Sequence, residues 1–236
     1  MIKMYAAKWK HKLLKQYTIK FLPLSVIHNE DVSKDMDRTY PRVDWFEKHK
    51  REIANIVLNF VEINPALSYM QGMCFMTFTL FYVYRHSDFR DCETLYSLHK
   101  LIEPIRPIYP LHANDNQPLC FIENTTKIIL LNIHKENHSL SKKLQEYNIV
   151  PIFIVSGFPS FFGNWYDLEQ TIQLFDALIA EKPTEILNNM IHFMVCFFLH
   201  HKQIIMSSTY EQIMYILQQR GNLQKILILM KTKKRK

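Results

Sequence analysis

Apolar residues recur at helical spacing along nearly the whole of this 236-residue chain, and no useful length of it alternates as a strand would. Ile53, Ile56, Val57, Phe60 and Val61 fall at i, i+3, i+4, i+7 and i+8, the stripe of an amphipathic helix. Asp44-Trp45-Phe46-Glu47 just before it reads as a capping box, an acceptor at the N-cap with a carboxylate three residues on. Asn64-Pro65 ends that helix and opens the next, since proline is preorganised for a first turn. This next helix, from about Pro65 to Tyr84, is apolar on almost every side and is expected at the centre of the fold. Asp167-Leu168-Glu169-Gln170 opens a helix carrying Ile172, Leu174, Phe175, Leu178 and Ile179, and another apolar helix runs from about Thr184 to His200. Ser208-Thr209-Tyr210-Glu211 reads as a further capping box. The stretch from Leu101 to Pro118 holds four prolines and is expected to be irregular, with room for short helical pieces. The expectation is an all-α fold.

The composition narrows the class. With 48% hydrophobic residues the chain can offset its conformational entropy, and at this length it can bury roughly 70% of its unfolded surface. Only 4 Gly are present, which argues against a turn-rich sandwich or a glycine-rich phosphate loop. Cys74, Cys92, Cys120 and Cys196 form no CxxC pair, so neither a zinc site nor a disulfide framework is indicated, and reduced buried thiols of a cytosolic protein are expected. The chain begins with a basic segment rather than an apolar signal core, so the glycosylation-like triplets at Asn124 and Asn137 are discounted. The longest apolar run, Met190 to Leu199, is interrupted by His192 and far too short to span a bilayer. A net charge of +7 gathers at the ends, in Lys3, Lys8, Lys10, Lys12, Lys15 and Lys20 and in Lys231, Lys233, Lys234, Arg235 and Lys236. These are expected to be solvated tails with room for a weak contact to an anionic membrane; the near-balanced middle argues against a nucleic-acid binder.

Three polar features interrupt the helical pattern. In Val32-Ser33-Lys34-Asp35-Met36-Asp37-Arg38-Thr39-Tyr40-Pro41, Asp35 and Arg38 share a helix face, and Pro41 favours a stop just beyond. The carboxylate can hold the guanidinium in one orientation; alone, the pair also reads as an ordinary ion pair. In Tyr69-Met70-Gln71-Gly72-Met73, an amide and a glycine interrupt the most apolar segment. Burying an unpaired amide costs roughly 2–7 kcal/mol, so Gln71 either bonds internally or lies where something else covers it. Gly72 would cost about 1 kcal/mol inside a helix, which suggests close approach of another backbone or a partner. Phe161-Phe162-Gly163-Asn164-Trp165 reads as core aromatics ahead of a helix start.

Taken together, the first two features are specific. Val32-x-x-Asp35-x-x-Arg38-Thr39-x-Pro41 resembles the IxxDxxRTxP motif of the TBC-domain Rab GTPase-activating proteins, and Tyr69-x-Gln71-Gly72-Met73 resembles their YxQGM motif. The resemblance runs from about Val32 to about Gln218 and implies a two-lobed, multi-helix TBC domain over residues 25–222, between a basic N-terminal segment (1–24) and a basic tail (223–236). Phe162-Gly163-Asn164 and the segment from Leu174 to Pro183 look most like the early-secretory, endoplasmic-reticulum branch of the family, though the C-terminal anchor of that branch is absent here. Trp9 with Leu13-Leu14 stands where the family usually has an Arg-x-x-x-Trp helix, without the Arg; Gly157 stands where a Trp is common, and Gln173 where an Arg is common.

The resemblance implies a chemistry. Arg38 would be a finger reaching the β- and γ-phosphate oxygens of a GTP-bound Rab, and a supplied arginine accelerates hydrolysis by roughly 10³–10⁵. Its planar fork meets phosphate bidentately where lysine cannot. Gln71 would be a second finger orienting the attacking water, with Asp35 and Thr39 bracing the arginine and Tyr69 and Gly72 setting the position of Gln71. No cofactor of its own is implied, since GTP and Mg²⁺ are carried by the partner GTPase. The implied setting is vesicle trafficking, in the cytoplasm or at the periphery of endomembranes. Two other readings stay open: a TBC scaffold that binds a Rab or an adaptor without accelerating hydrolysis, and a basic helical nucleic-acid binder.

Overall fold

The computed structural model describes residues 2–15, 29–41, 43–109 and 116–233. Among them the chain forms helices α1 (Ile2–Leu14), α2 (Glu30–Arg38), α3 (Asp44–Glu62), α4 (Met73–Val83), α5 (Arg90–Ile102), α6 (Gln117–Glu136), α7 (His138–Glu146), α8 (Ile149–Gly157), α9 (Leu168–Leu178), α10 (Pro183–His200), α11 (Lys202–Ser207), α12 (Tyr210–Gln218) and α13 (Leu223–Lys233). Two 3-10 segments, Glu103–Ile108 and Phe158–Ser160, complete the order, with no strand among the described residues. The fold is all-α, as the periodicity requires. No described helix is long and apolar enough to cross a membrane.

Two groups of helices share one apolar core. Helices α1, α3, α4 and α5 pack on one another; α6 packs on α7, α8 and α10, and α13 closes over α10. Helix α4 is the hub of the first group and also touches α9 and the 3-10 turn Phe158–Ser160. It is buried on nearly all sides because its residues are apolar on nearly all sides, and its two interior threonines satisfy their hydroxyls locally: Thr77 donates to the Met73 carbonyl (2.9 Å) and Thr79 to that of Phe75 (2.8 Å).

Several sequence expectations need correction. The helix expected from Pro65 to Tyr84 begins only at Met73, and residues 63–72 form turns and irregular backbone. Asn64 caps the end of α3 by donating from Nδ2 to the Phe60 carbonyl (2.7 Å), and Gly72, at φ +115, cannot continue a right-handed helix. The box expected at Asp44 is not formed: Val43 is the N-cap without a side-chain bond, and Asp44 and Glu47 sit in the first turn, where the helix dipole favours them. The box expected from Ser208 to Glu211 is shifted by one residue, with Thr209 as N-cap and Gln212 accepting from its backbone N–H (3.1 Å). Asp167 does cap α9, accepting from Gln170 N (2.8 Å). The proline-rich stretch is more ordered than expected, since Leu101 and Ile102 belong to α5, the 3-10 segment follows, and Pro118 lies in the first turn of α6; residues 110–115 lie outside the described part. Three cysteines are buried as expected, but Cys120 is exposed on α6, and all four are free.

The basic ends are not loose tails where they are described. Lys3, Lys8, Lys10, Lys12 and Lys15 lie on or just after α1, and Lys231 and Lys233 on α13; Lys20, Lys234, Arg235 and Lys236 fall outside the described residues. Lys8 pairs with Asp176 (2.6 Å), Lys10 with Glu93 (2.7 Å) and Lys233 with Glu136 (2.5 Å), while Lys12 donates to the Ile179 carbonyl (2.7 Å). Trp9 carries no exposed surface; its ring lies 6.0 Å from that of Phe175, and its indole N–H donates to Asp176 (3.2 Å). Truncating it, Trp9→Ala, is expected to cost about 3–5 kcal/mol. The check is the urea midpoint of the full chain, and an unchanged midpoint would mean that α1 contributes no packing.

Candidate functional site

The first motif is a short helix with a built start and a defined end. Asn29 caps α2 by accepting from the backbone N–H groups of Asp31 (2.9 Å) and Val32 (3.1 Å). Val32 and Met36 turn the apolar side of α2 inward, and Asp35 goes with them, only 4% exposed. Arg38 is the last residue of the helix, and its side chain remains 59% exposed. Asp35 Oδ1 accepts from Arg38 Nε (2.7 Å) and from its terminal nitrogen, which fixes the base of the guanidinium while its outer face meets solvent. Thr39 donates from Oγ1 to the Asp35 carbonyl (2.7 Å) and closes the helix end. Tyr40 follows in the left-handed region at φ +45, an uncommon conformation for a bulky residue. Its hydroxyl, donated to the Gly163 carbonyl (3.1 Å), and its ring, packed against Phe75 and Phe78, hold it there.

The second motif lies on the turn that enters α4. Tyr69 donates its hydroxyl to Asp35 Oδ2, so the two oxygens of one buried carboxylate hold the two motifs. The same hydroxyl lies 3.2 Å from Cys74 Sγ. Gln71 is exposed on the turn. It is therefore not an amide inside an apolar helix, and the question of its burial does not arise. Gly72 behaves as its sequence context suggested: another backbone lies against it, and a Cβ there would sit 2.8 Å from the Pro159 carbonyl oxygen.

That carbonyl belongs to the third polar feature, which is more than core aromatics. Phe161 and Phe162 both take positive φ, 53 and 62, and are wholly buried. The turn they form supports both motifs: Pro159 lies behind Gly72, and Gly163, whose Cβ would come within 2.9 Å of that of Phe75, offers its carbonyl to Tyr40. Tyr109 donates to the Pro159 carbonyl (3.0 Å) and fixes it from the far side. Gly157 stands against Phe162 and Trp165, whose ring atoms would lie 2.5 and 2.8 Å from a Cβ, so these rings occupy the space that a larger residue at 157 would need. Gln173 accepts from Gln224 of α13.

The electrostatics favour a site that holds one charge and makes no covalent bond. The hydrogen bond it donates to Asp35 raises Arg38 above its ordinary value, so it stays cationic at any working pH. Burial, reinforced by Cys74 and by the bond to Asp35, raises the Tyr69 phenol and keeps it a neutral donor. Burial pushes the Cys74 thiol up to about 12, so it is no nucleophile. No group of three or more His, Cys, Asp or Glu side chains among the described residues could hold a metal. What remains outward is a fixed cation at Arg38 and a neutral amide at Gln71. Tyr40, Tyr109 and Pro159 were not singled out by sequence reasoning, and Cys74 was read there only as a reduced buried thiol. Only Tyr40, inside the first motif, had a signal.

Comparison with known proteins gives a family and a fold. The family model of the Rab-GTPase-TBC domain matches residues 4–206. The human protein "TBC1 domain family member 13" is 22% identical over 165 residues, which cover 67% of this chain and 41% of that protein, so the chain spans about two fifths of its length. The crystal structure of the Ypt/Rab-GAP domain of Gyp1p superposes with a TM-score of 0.71, covering 98% of this chain and 79% of that one at 14% identity, a likeness of fold.

Unequal stability effects are expected at adjacent residues. Gly72→Ala must place a Cβ against the Pro159 carbonyl at φ +115 and should cost about 1–3 kcal/mol. Gln71→Ala, at an exposed turn position, should stay within about 0.5 kcal/mol of the parent. Matched thermal melts read both, and a Gln71→Ala loss as large as that of Gly72→Ala would show Gln71 to be structural.

Proposed function

The chain belongs to the Rab-GTPase-TBC domain family, and from that premise we propose that it stimulates GTP hydrolysis by a Rab-type GTPase in its GTP form. Arg38 and Gln71 are the two catalytic groups in this reading. The observation that carries it is the shared anchor: an exposed arginine is fixed at its base by a buried Asp35, whose second oxygen binds the tyrosine two residues before an exposed glutamine.

The chemistry follows from what the partner lacks. A small GTPase brings GTP and Mg²⁺ but stabilises the developing charge on the γ-phosphoryl oxygens poorly and holds its attacking water loosely. Arg38, constrained by Asp35 before the partner arrives, meets the phosphate oxygens with little further loss of side-chain freedom. The Gln71 amide accepts from water while donating elsewhere, which suits it to orient the nucleophile. Thr39 holds the end of the arginine helix, and Tyr69 and Gly72 set the turn that presents Gln71. No acid, base or nucleophile of this chain takes a proton or forms a bond; the GTPase hydrolyses GTP in a site that this chain completes.

Single-turnover GTP hydrolysis across a panel of purified Rabs tests the proposal, with early-secretory members included because the sequence resembles that branch. Arg38→Ala and Arg38→Lys are both expected to lose roughly 10³-fold or more of the stimulation in a folded protein, because lysine keeps the charge but not the fork. Gln71→Ala should lose about a hundredfold, most severely with GTPases whose own glutamine has been replaced. Near-parental stimulation by Arg38→Lys would overturn the finger assignment. Rab binding without stimulation by the parent chain would leave a scaffold instead. In the same assay Tyr69→Phe, which removes only the hydroxyl bound to Asp35, should lower the stimulated rate by up to about a hundredfold while Rab binding persists. Loss of binding in parallel would make Tyr69 a structural residue only.

A further inference from the structure

The first and last described helices border the same helix, α9. Helix α1 and helix α13 flank α9: Lys8 and Trp9 of α1 bond to Asp176, and Gln224 of α13 donates to Gln173, which also lines a crevice against α1. Residues 1–29 and 212–236 contain no Asp or Glu and hold 13 of the 29 Lys and Arg. Each helix lays an exposed basic stripe along its outer side. On α1 and its end it is Met4, Lys8, His11 and Lys15; on α13 it is Lys225, Ile228 and Lys231. Each stripe also exposes one large apolar side chain, Met4 at 62% and Ile228 at 60%. Single exposed apolar residues are common on any surface, but here each sits within a lysine stripe on a helix whose other side is docked. The apolar faces of both helices are docked on the protein, so what they present outward is lysine beside a single aliphatic side chain, which can meet headgroups and enter the interface respectively.

The carboxylates here neutralise part of the stripe and leave Lys15, Lys225 and Lys231 without a carboxylate partner among the described residues. Asp176 is taken by Lys8 and Glu136 by Lys233, and Glu181 faces His11 at 3.8 Å. Glu169 lines the crevice, an apolar space of about 330 Å³ between Ile2, Tyr5, Tyr82, Leu168 and Ile172. We infer that α1 and α13 together form a docking face for an anionic lipid surface, with lysines at the headgroups and Met4 and Ile228 entering the interface. Nucleic acid shares the negative charge but offers nothing to two isolated aliphatic side chains.

The test is co-sedimentation of the full chain with phosphatidylcholine vesicles with and without 30% phosphatidylserine. Binding is expected only with phosphatidylserine, and should weaken by about tenfold or more between 50 and 300 mM NaCl. Lys225→Gln with Lys231→Gln should weaken it roughly twentyfold, and Met4→Gln with Lys15→Gln on the α1 side by a similar factor, with thermal melts unchanged because all four side chains are exposed. Ile228→Gln should lose several-fold at either salt, since its contribution is not screened. Equal binding to neutral vesicles, indifference to the α13 lysine pair, or retention on single-stranded RNA without retention on vesicles would overturn the inference. Loss with the α13 pair but not the α1 pair would overturn the joint surface.

Discussion

A single buried carboxylate organises this molecule's exposed chemistry. Asp35 is almost wholly withdrawn from water, and an ionised carboxylate in that position is tolerable only if its oxygens are paired. One oxygen takes the Arg38 guanidinium and the other the Tyr69 hydroxyl. Removing either partner would leave a buried oxygen short of a donor, so the two motifs are held together by the cost of separating them. Two segments separated in sequence by all of α3 thus present a cation and an amide from one anchor.

The anchor works because the backbone behind it is stiff. The turn at 158–165 keeps two phenylalanines at positive φ, which persists only where packing over-determines the conformation, and here the rings of Phe158, Trp165, Phe175 and Phe193 enclose them. Its carbonyls are put to use: that of Pro159 faces Gly72 and binds Tyr109, and that of Gly163 binds Tyr40. Gly72 and Gly163 are small because a Cβ at either would displace this backbone contact. The turn therefore sets where the residues on both sides of Arg38 and Gln71 can lie, though it contributes no side chain to the exposed chemistry itself.

The same logic governs the chain ends, whose lysines are ordered by what lies beneath them. Trp9 and Leu13 bury one side of α1, and Ile226 and Met230 bury one side of α13, which leaves the charged sides outward along α9. A basic helix docked by its apolar side holds its charges in a fixed array, whereas a free tail would present them at random.

Local spacing along the chain is enough to establish that it is helical, where α3, α9 and α10 run, and that Asp35 and Arg38 share a helix face. The pairing of the two motifs was legible as well, through their resemblance to a family. The entry to α4 was not legible. An apolar run reads alike as helix or as packed turn, and what breaks it at Gly72 is the Pro159 carbonyl from a distant part of the chain. Helix starts slipped by a residue at Val43 and Thr209 because a cap depends on local φ and ψ as well as on residue type. The lysines of α1 and α13 read as tails because periodicity cannot tell a docked amphipathic helix from a solvated one. Only the tertiary structure brought Tyr69 to Asp35 and laid the two ends beside α9, since both depend on contacts between residues that no local pattern relates.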